Sequence, residues 1–174
     1  RETIEKFGLG YCPRGLLKGR IAIPIHNAAG QLIAYAGRWP EEPPETEPKY
    51  KLPPKFKKNL VLYNLHRIKE RVEDQGVILV EGFFDVFALW QAGYENAVAI
   101  MGTALSESQR NLLIETVGSD GKICLLLDGD EAGVEGAQKA RDQLVHHTYV
   151  RWIRLDADVQ PDNLTEEELR FLLG

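Results

Sequence analysis

The chain has 174 residues, 44% hydrophobic and 27% charged, which is ordinary for a globular protein with one good core and room for a smaller partner domain. No apolar run approaches the length of a membrane span and nothing resembles a signal peptide, so no membrane-spanning helix is expected. Charge is uneven: residues 1–75 hold 14 Lys and Arg against 9 Asp and Glu, a net of +5, whereas residues 76–174 hold 7 against 17, a net of −10. A basic segment joined to an acidic one suits a protein that holds a polyanion while metal ions act on it. The plain alternative is a chance scatter of solvated charges. Cys12 and Cys124 have neither zinc-site nor disulfide spacing, and a reducing cytoplasm is their natural setting.

In chain order, residues 2–7 read as a short helix, followed by the glycine-rich loop of residues 8–15. Residues 20–25 and 31–38 are strand-like, and Asn27-Ala-Ala-Gly30 between them is a hairpin turn. Pro24 places the first of these strands at an edge or a bulge. Residues 40–48 form a Pro/Glu tract that fits neither a central strand nor a helix. Lys49, Lys51, Lys55, Lys57 and Lys58 follow, interleaved with Tyr50 and Phe56. Such a run reads as phosphate contact or as a solvated face. Residues 62–73 have helical spacing at Leu62, Leu65, Ile68 and Val72.

From residue 76 strand and helix alternate: strand 77–80, helix 83–92, strand 97–100, then a helix opened by the Ser106-Glu-Ser-Gln109 capping box and running to about residue 116. Strand 123–127, helix 132–146 and strand 149–155 follow, and Thr165-Glu-Glu-Glu168 caps a last helix. This alternation predicts an α/β domain with a mainly parallel sheet. We therefore expect a domain of residues 1–75 and a second of residues 76–174.

Two of the strands stop at carboxylates followed by glycine: Glu81-Gly82 and Asp128-Gly129-Asp130. Their apolar runs read as strands buried on both faces. In open parallel sheets ligands bind at the carboxyl ends of the strands. Three acids gathered there repel one another unless a cation lies between them, and carboxylate oxygens are the hard ligands that Mg²⁺ takes. Ordinary acidic turn residues are the alternative for either stretch alone; the two together favour a metal site.

Val80-Glu-Gly-Phe-Phe-Asp-Val86, Met101-Gly-Thr-Ala-Leu105 and Leu127-Asp-Gly-Asp-Glu-Ala-Gly133, in that order, resemble the Toprim domain in its bacterial replicative-primase (DnaG-type) version. Gly10-Tyr-Cys-Pro13, Gly19-Arg-Ile-Ala-Ile-Pro-Ile25, Gly30-Gln-Leu-Ile-Ala-Tyr-Ala-Gly-Arg38, Pro48-Lys-Tyr50 and Leu62-Tyr63 resemble the basic subdomain that precedes Toprim in those primases. The resemblance implies an α/β fold, a mainly parallel Toprim-like sheet flanked by helices behind a small basic α+β subdomain. It implies Mg²⁺ or Mn²⁺ at Glu81, Asp128 and Asp130. Asp85, one helical turn beyond Glu81, either supports that site or caps the helix. By the same resemblance Arg20, Arg38, Lys49 and Lys58 would face template and nucleotide.

The implied activity is a DNA primase core in the cytoplasm. It would join nucleoside triphosphates into short primers on a single-stranded DNA template, with no membrane partner, and would reach a replicative helicase only through regions outside these residues. A Toprim nuclease would use the same acids, and a non-catalytic nucleic-acid-binding module would keep the fold without turnover. This chain also departs from the family pattern. Gln160-Pro161-Asp162 stands where an Asp-Pro-Asp is usual, and Lys51-Leu52-Pro53 replaces an expected Asn-Ser.

Overall fold

The fold comes from a computed structural model that describes residues 1–69 and 72–174. The chain forms two compact units, residues 1–57 and residues 58–174. This division falls earlier than the one expected after residue 75, because residues 58–68 belong to the second unit. There Tyr63 and Ala99 exchange backbone hydrogen bonds of 2.9 and 3.2 Å, forming an isolated antiparallel bridge.

In the first unit, helix α1 (Glu2–Phe7) ends at Gly8 in the left-handed conformation. An antiparallel sheet follows, in the order β1 (Gly10–Cys12), β2 (Arg20–His26), β3 (Leu32–Arg38) and β4 (Tyr50–Lys51). The β2–β3 hairpin turns at the expected residues, and Asn27 supplies the turn chemistry: its Oδ1 accepts from the N–H groups of Ala29 and Gln31. Pro24 lies on an interior strand, yet β1 pairs only with Arg20–Ala22. At Pro24 that side of β2 has no ladder to break, and a bulge follows at Ile25/His26.

Arg20 is the largest side chain that this unit buries, at 1% exposure. Its guanidinium donates to the Glu47 carboxylate at 2.8 Å and to the carbonyls of Pro48 and Lys49 at 2.9 and 3.2 Å, and it stacks over Trp39. The planar fork thus satisfies the turn of the Pro/Glu tract from inside. The expectation that Arg20 faces template or nucleotide is corrected here, because the group is spent on the fold.

The second unit carries a parallel sheet in the order β6 (Ala97–Ala99), β5 (Val77–Val80), β7 (Lys122–Leu125), β8 (Tyr149–Trp152). Helices α4 (Phe83–Gln91), α5 (Glu107–Val117) and α6 (Glu131–Leu144) make the crossovers, and α7 (Glu166–Leu173) ends the chain. All four residues of β5 are buried, as a strand covered on both faces requires. Strand β7 stops at Leu125, two residues before the predicted end, although Leu126 and Leu127 remain buried. The helix expected over residues 62–73 does not begin at Leu62, since residues 62–64 are not helical. Short helices α2 (Leu65–Ile68) and α3 (Val72–Gln75) follow, and the part of that expectation at residues 70–71 lies outside the described residues. Among the described residues no helix is long and apolar enough to cross a membrane.

Lysine at position 20 would keep the charge and lose the fork. Arg20→Lys should lower stability by about 1–3 kcal/mol, the worth of charge-assisted hydrogen bonds, in urea denaturation. An unchanged midpoint would return Arg20 to the surface-binding candidates.

Candidate functional site

Strands β5 and β7 are parallel neighbours, with Leu79 opposite Leu125, so they end side by side. The residues just beyond their ends therefore meet. Glu81 is buried, and its Oε1 accepts from the Asp128 backbone N–H at 3.2 Å. Helix α6 begins beside them, and a Cβ at Gly133 would lie 2.7 Å from Glu81 Oε1 and 2.2 Å from the Asp128 carbonyl oxygen. Only glycine lets the helix approach this closely.

Asp130 is the N-cap of α6, with Oδ1 accepting from Gly133 N–H at 2.7 Å. Asp85 is buried in the first turn of α4, where Oδ2 accepts from Gly82 N–H at 2.7 Å. Of its two expected roles the structure shows the helix cap, and the charges of Asp128, Asp162 and Glu81 also reach it. On the far side, Gln160 Nε2 donates to Asp128 Oδ2 at 2.7 Å, and Gly129 N–H donates to the Val159 carbonyl at 2.8 Å. The loop that carries the unusual Gln160 is therefore bound directly to the central aspartate, a contact for which the sequence carried only the glutamine's odd identity.

Burial, reinforced by neighbouring acids, raises the proton affinity of two of these carboxyls. Burial, then the charge of Asp128, pushes the Glu81 carboxyl up to about 7; the Asp128 N–H pulls the other way and Asp130 adds a smaller push. Burial pushes Asp85 up to about 8, opposed by the Gly82 N–H and reinforced by Asp128, Asp162 and Glu81. Asp162, on the same loop as Gln160, thereby joins the acidic group. Among the described residues no three His, Cys, Asp or Glu side chains are already arranged as a cation cage. Glu81 and Asp128 touch, while the Asp130 carboxylate is engaged in its helix cap.

A basic residue reaches the same edge. Met101 N–H donates to the Glu81 carbonyl at 2.8 Å, in a left-handed backbone conformation uncommon for methionine (φ 59°). At the next residue, a Cβ on Gly102 would lie 3.0 Å from Lys58 Nζ. Of the other predicted basic residues, Lys49 is exposed, and Arg38 donates to the Trp39 carbonyl at 3.3 Å and stacks over Tyr50. Both lie in the first unit. Burial pushes the Cys124 thiol up to about 11, so it is no nucleophile at neutral pH.

Residues 75–154 match the Toprim domain, and residues 15–69 match the N-terminal domain of the DNA primase catalytic core. The chain is 36% identical over 170 residues to a DNA primase of Aquifex aeolicus and 37% identical over 182 residues to one of Geobacillus stearothermophilus. Those alignments cover 92% and 83% of the chain but only 33% and 29% of the relatives, so the chain spans about a third of their length. The crystal structure of the Aquifex aeolicus primase zinc-binding and RNA polymerase domains superposes with a TM-score of 0.86 at 31% identity, covering 99% of this chain and 52% of that one. A DnaG primase catalytic domain bound to single-stranded DNA superposes at 0.73 with 26% identity, covering 95% of this chain and 58% of that one.

The raised carboxyls make stability depend on pH. Glu81 and Asp85 hold protons more tightly in the folded chain than in the unfolded one. Their contribution is therefore full below the ordinary carboxylate range and is lost as pH rises through about 7 and about 8. In chelator-containing buffer the urea midpoint should fall between pH 5 and pH 8.5. Asp85→Asn, which keeps an acceptor for Gly82 N–H, should flatten that fall. A parent whose stability is the same at both pH values would show that the acids are not crowded.

Proposed function

The chain belongs to the bacterial DNA primase family, with a Toprim domain behind the N-terminal domain of the catalytic core, and from this footing we propose that it is a primase core that transfers nucleotides on a single-stranded DNA template. The observation that carries the reading is the meeting of Glu81 and Asp128 at the carboxyl edge of the parallel sheet, with Asp85 and Asp130 in the first turn and at the cap of the helices that start there. A primer 3′-hydroxyl would attack the α-phosphorus of an incoming nucleoside triphosphate, and pyrophosphate would leave.

The donor set fits a hard divalent cation: every candidate ligand is a carboxylate oxygen, and burial together with neighbouring negative charge holds Glu81 and Asp85 above their ordinary range. Glu81, Asp128 and Asp130 would hold Mg²⁺ or Mn²⁺, with Asp85 behind them. Such ions, when bound, neutralise phosphate charge and stabilise the attacking and leaving oxygens. The chain's own part is positioning. Glu81 and Asp128 are fixed by β5 and β7, Lys58 offers an ammonium to phosphate at the neighbouring loop, and Arg38 and Lys49 are proposed to hold template. Recruiting Asp130 to an ion would compete with its cap on α6, worth about 1 kcal/mol. A helicase partner and a cytoplasmic setting belong to the same reading.

One observation favours a second reading. Gln160 fills one oxygen of Asp128 with a neutral donor, which suits a module that binds nucleic acid without turning over.

Incorporation of labelled nucleotide on a single-stranded template with Mn²⁺ separates the two. Glu81→Gln keeps the side chain's size and removes its charge, and should cost about 10²-fold or more in rate, as single positioned electrostatic groups do. Synthesis at the parental rate in that variant refutes the mechanism. No synthesis by the parent, with DNA binding retained, installs the binding module, and strand loss without added nucleotide marks a nuclease.

Template contact is tested by salt. Replacing Arg38, Lys49 and Lys58 together by alanine should weaken single-stranded DNA binding. The slope of log K against log salt should also become shallower by roughly 0.7 per lost phosphate contact. A triple variant with the parental slope would leave these residues as a solvated face.

A further inference from the structure

We propose that Gln109 is a positioning residue for nucleotide binding: its side-chain amide fixes the turn that carries Lys58 and so sets where that ammonium meets a phosphate. The proposal rests on the reading above, in which Lys58 offers its ammonium to phosphate, and it assigns that phosphate to the nucleotide. Gln109 is 1% exposed although it lies in the first turn of α5. Its Nε2 donates to three carbonyls: Ile100 at 2.9 Å, Val61 at 2.9 Å and Lys58 at 3.2 Å. An amide has two N–H groups, so at least one is shared. Its Oε1 accepts from Ser106 N–H at 3.1 Å, closing the capping box, and Ser106 Oγ donates to the Asn59 carbonyl at 2.6 Å.

Capping alone explains only the Oε1 bond, and glutamate would make that bond equally well. The three carbonyls decide for glutamine, because a carboxylate would face them oxygen to oxygen. What they tie together is specific. Ile100 follows the end of β6, just before Met101 and Gly102, and Lys58 opens the 3₁₀ turn Lys58–Leu60. One buried amide therefore locks the backbone of Lys58 to the loop against which its own ammonium lies, 3.0 Å from the place of a Gly102 Cβ. Lysine has a flexible four-carbon stem, and anchoring its root is the means by which the fold can aim it.

A double-mutant cycle on the 174-residue chain tests this, with Mn²⁺-ATP as the probe in calorimetry and thermal melts as the check on folding. Lys58→Ala should weaken ATP binding about tenfold, the worth of one charge-assisted contact. Gln109→Met, similar in length and uncharged, should weaken it comparably and make its salt dependence shallower by the same step as Lys58→Ala. A merely structural loss would not change the salt dependence. In the Gln109→Met background Lys58→Ala should then cost little more, the non-additivity of coupled residues. If Gln109→Met does not fold, Gln109→Asn, which keeps an amide but shortens its reach, takes its place. Full additivity of the two substitutions overturns the positioning role and leaves the Lys58 reading intact. If Lys58→Ala has no effect in the parent, the Lys58 reading falls and this proposal with it.

Discussion

Two buried parallel strands that end side by side, each followed by an acid, impose the constraint from which the rest of the second unit follows. Strands β5 and β7 are held in register by their ladder, so Glu81 and Asp128 cannot separate without moving the core. Their repulsion in a partly dehydrated space costs stability, and the folded chain answers by holding protons on Glu81 and Asp85 to about pH 7 and 8. On the reading proposed above, a cation held between these carboxylates would relieve that cost.

The neighbouring elements accommodate that constraint by different means. Helix α6 comes close because Gly133 has no side chain to strike Glu81, and its N-terminus takes the Asp130 carboxylate as a cap. The 156–163 loop closes over Asp128 through Gln160 and through the Gly129–Val159 bond. On the β6 side, Tyr63 bridges to Ala99 and Gln109 draws the Lys58 turn onto the end of the strand. Acid and base therefore reach one edge of the sheet by separate routes. The acids sit at strand ends, and Lys58 comes from a segment that precedes every strand of the sheet.

Within the first unit the same types of charge do opposite work. Arg20 is buried, and its five donors suit an interior where two carbonyls and a carboxylate converge. Lys49, at the next turn of chain, is exposed. A basic residue in a basic segment is thus no guide to phosphate contact until its burial is known.

Much of the architecture was legible in the sequence because it is written in local patterns. The apolar runs of β5, β6 and β7, the boundaries of α1, the hairpin at Asn27–Gly30 and the caps at Ser106 and Thr165 depend on residues within a few positions of one another, where backbone geometry fixes who meets whom. The same holds for the strand-end acids, since a parallel sheet must deliver them to one edge. Tertiary structure alone decided the burial of Arg20, the small strands β1 and β4, the membership of residues 58–68 in the second unit, the contact of Gln160 with Asp128 and the threefold bond of Gln109. Arg20 meets Glu47 across 27 residues, Gln160 meets Asp128 across 32, and Gln109 meets Lys58 across 51. No period of helix or strand relates such positions. Long polar side chains find their partners only after the apolar faces have packed, because what selects those partners is the cost of leaving a buried carbonyl or carboxylate without a donor.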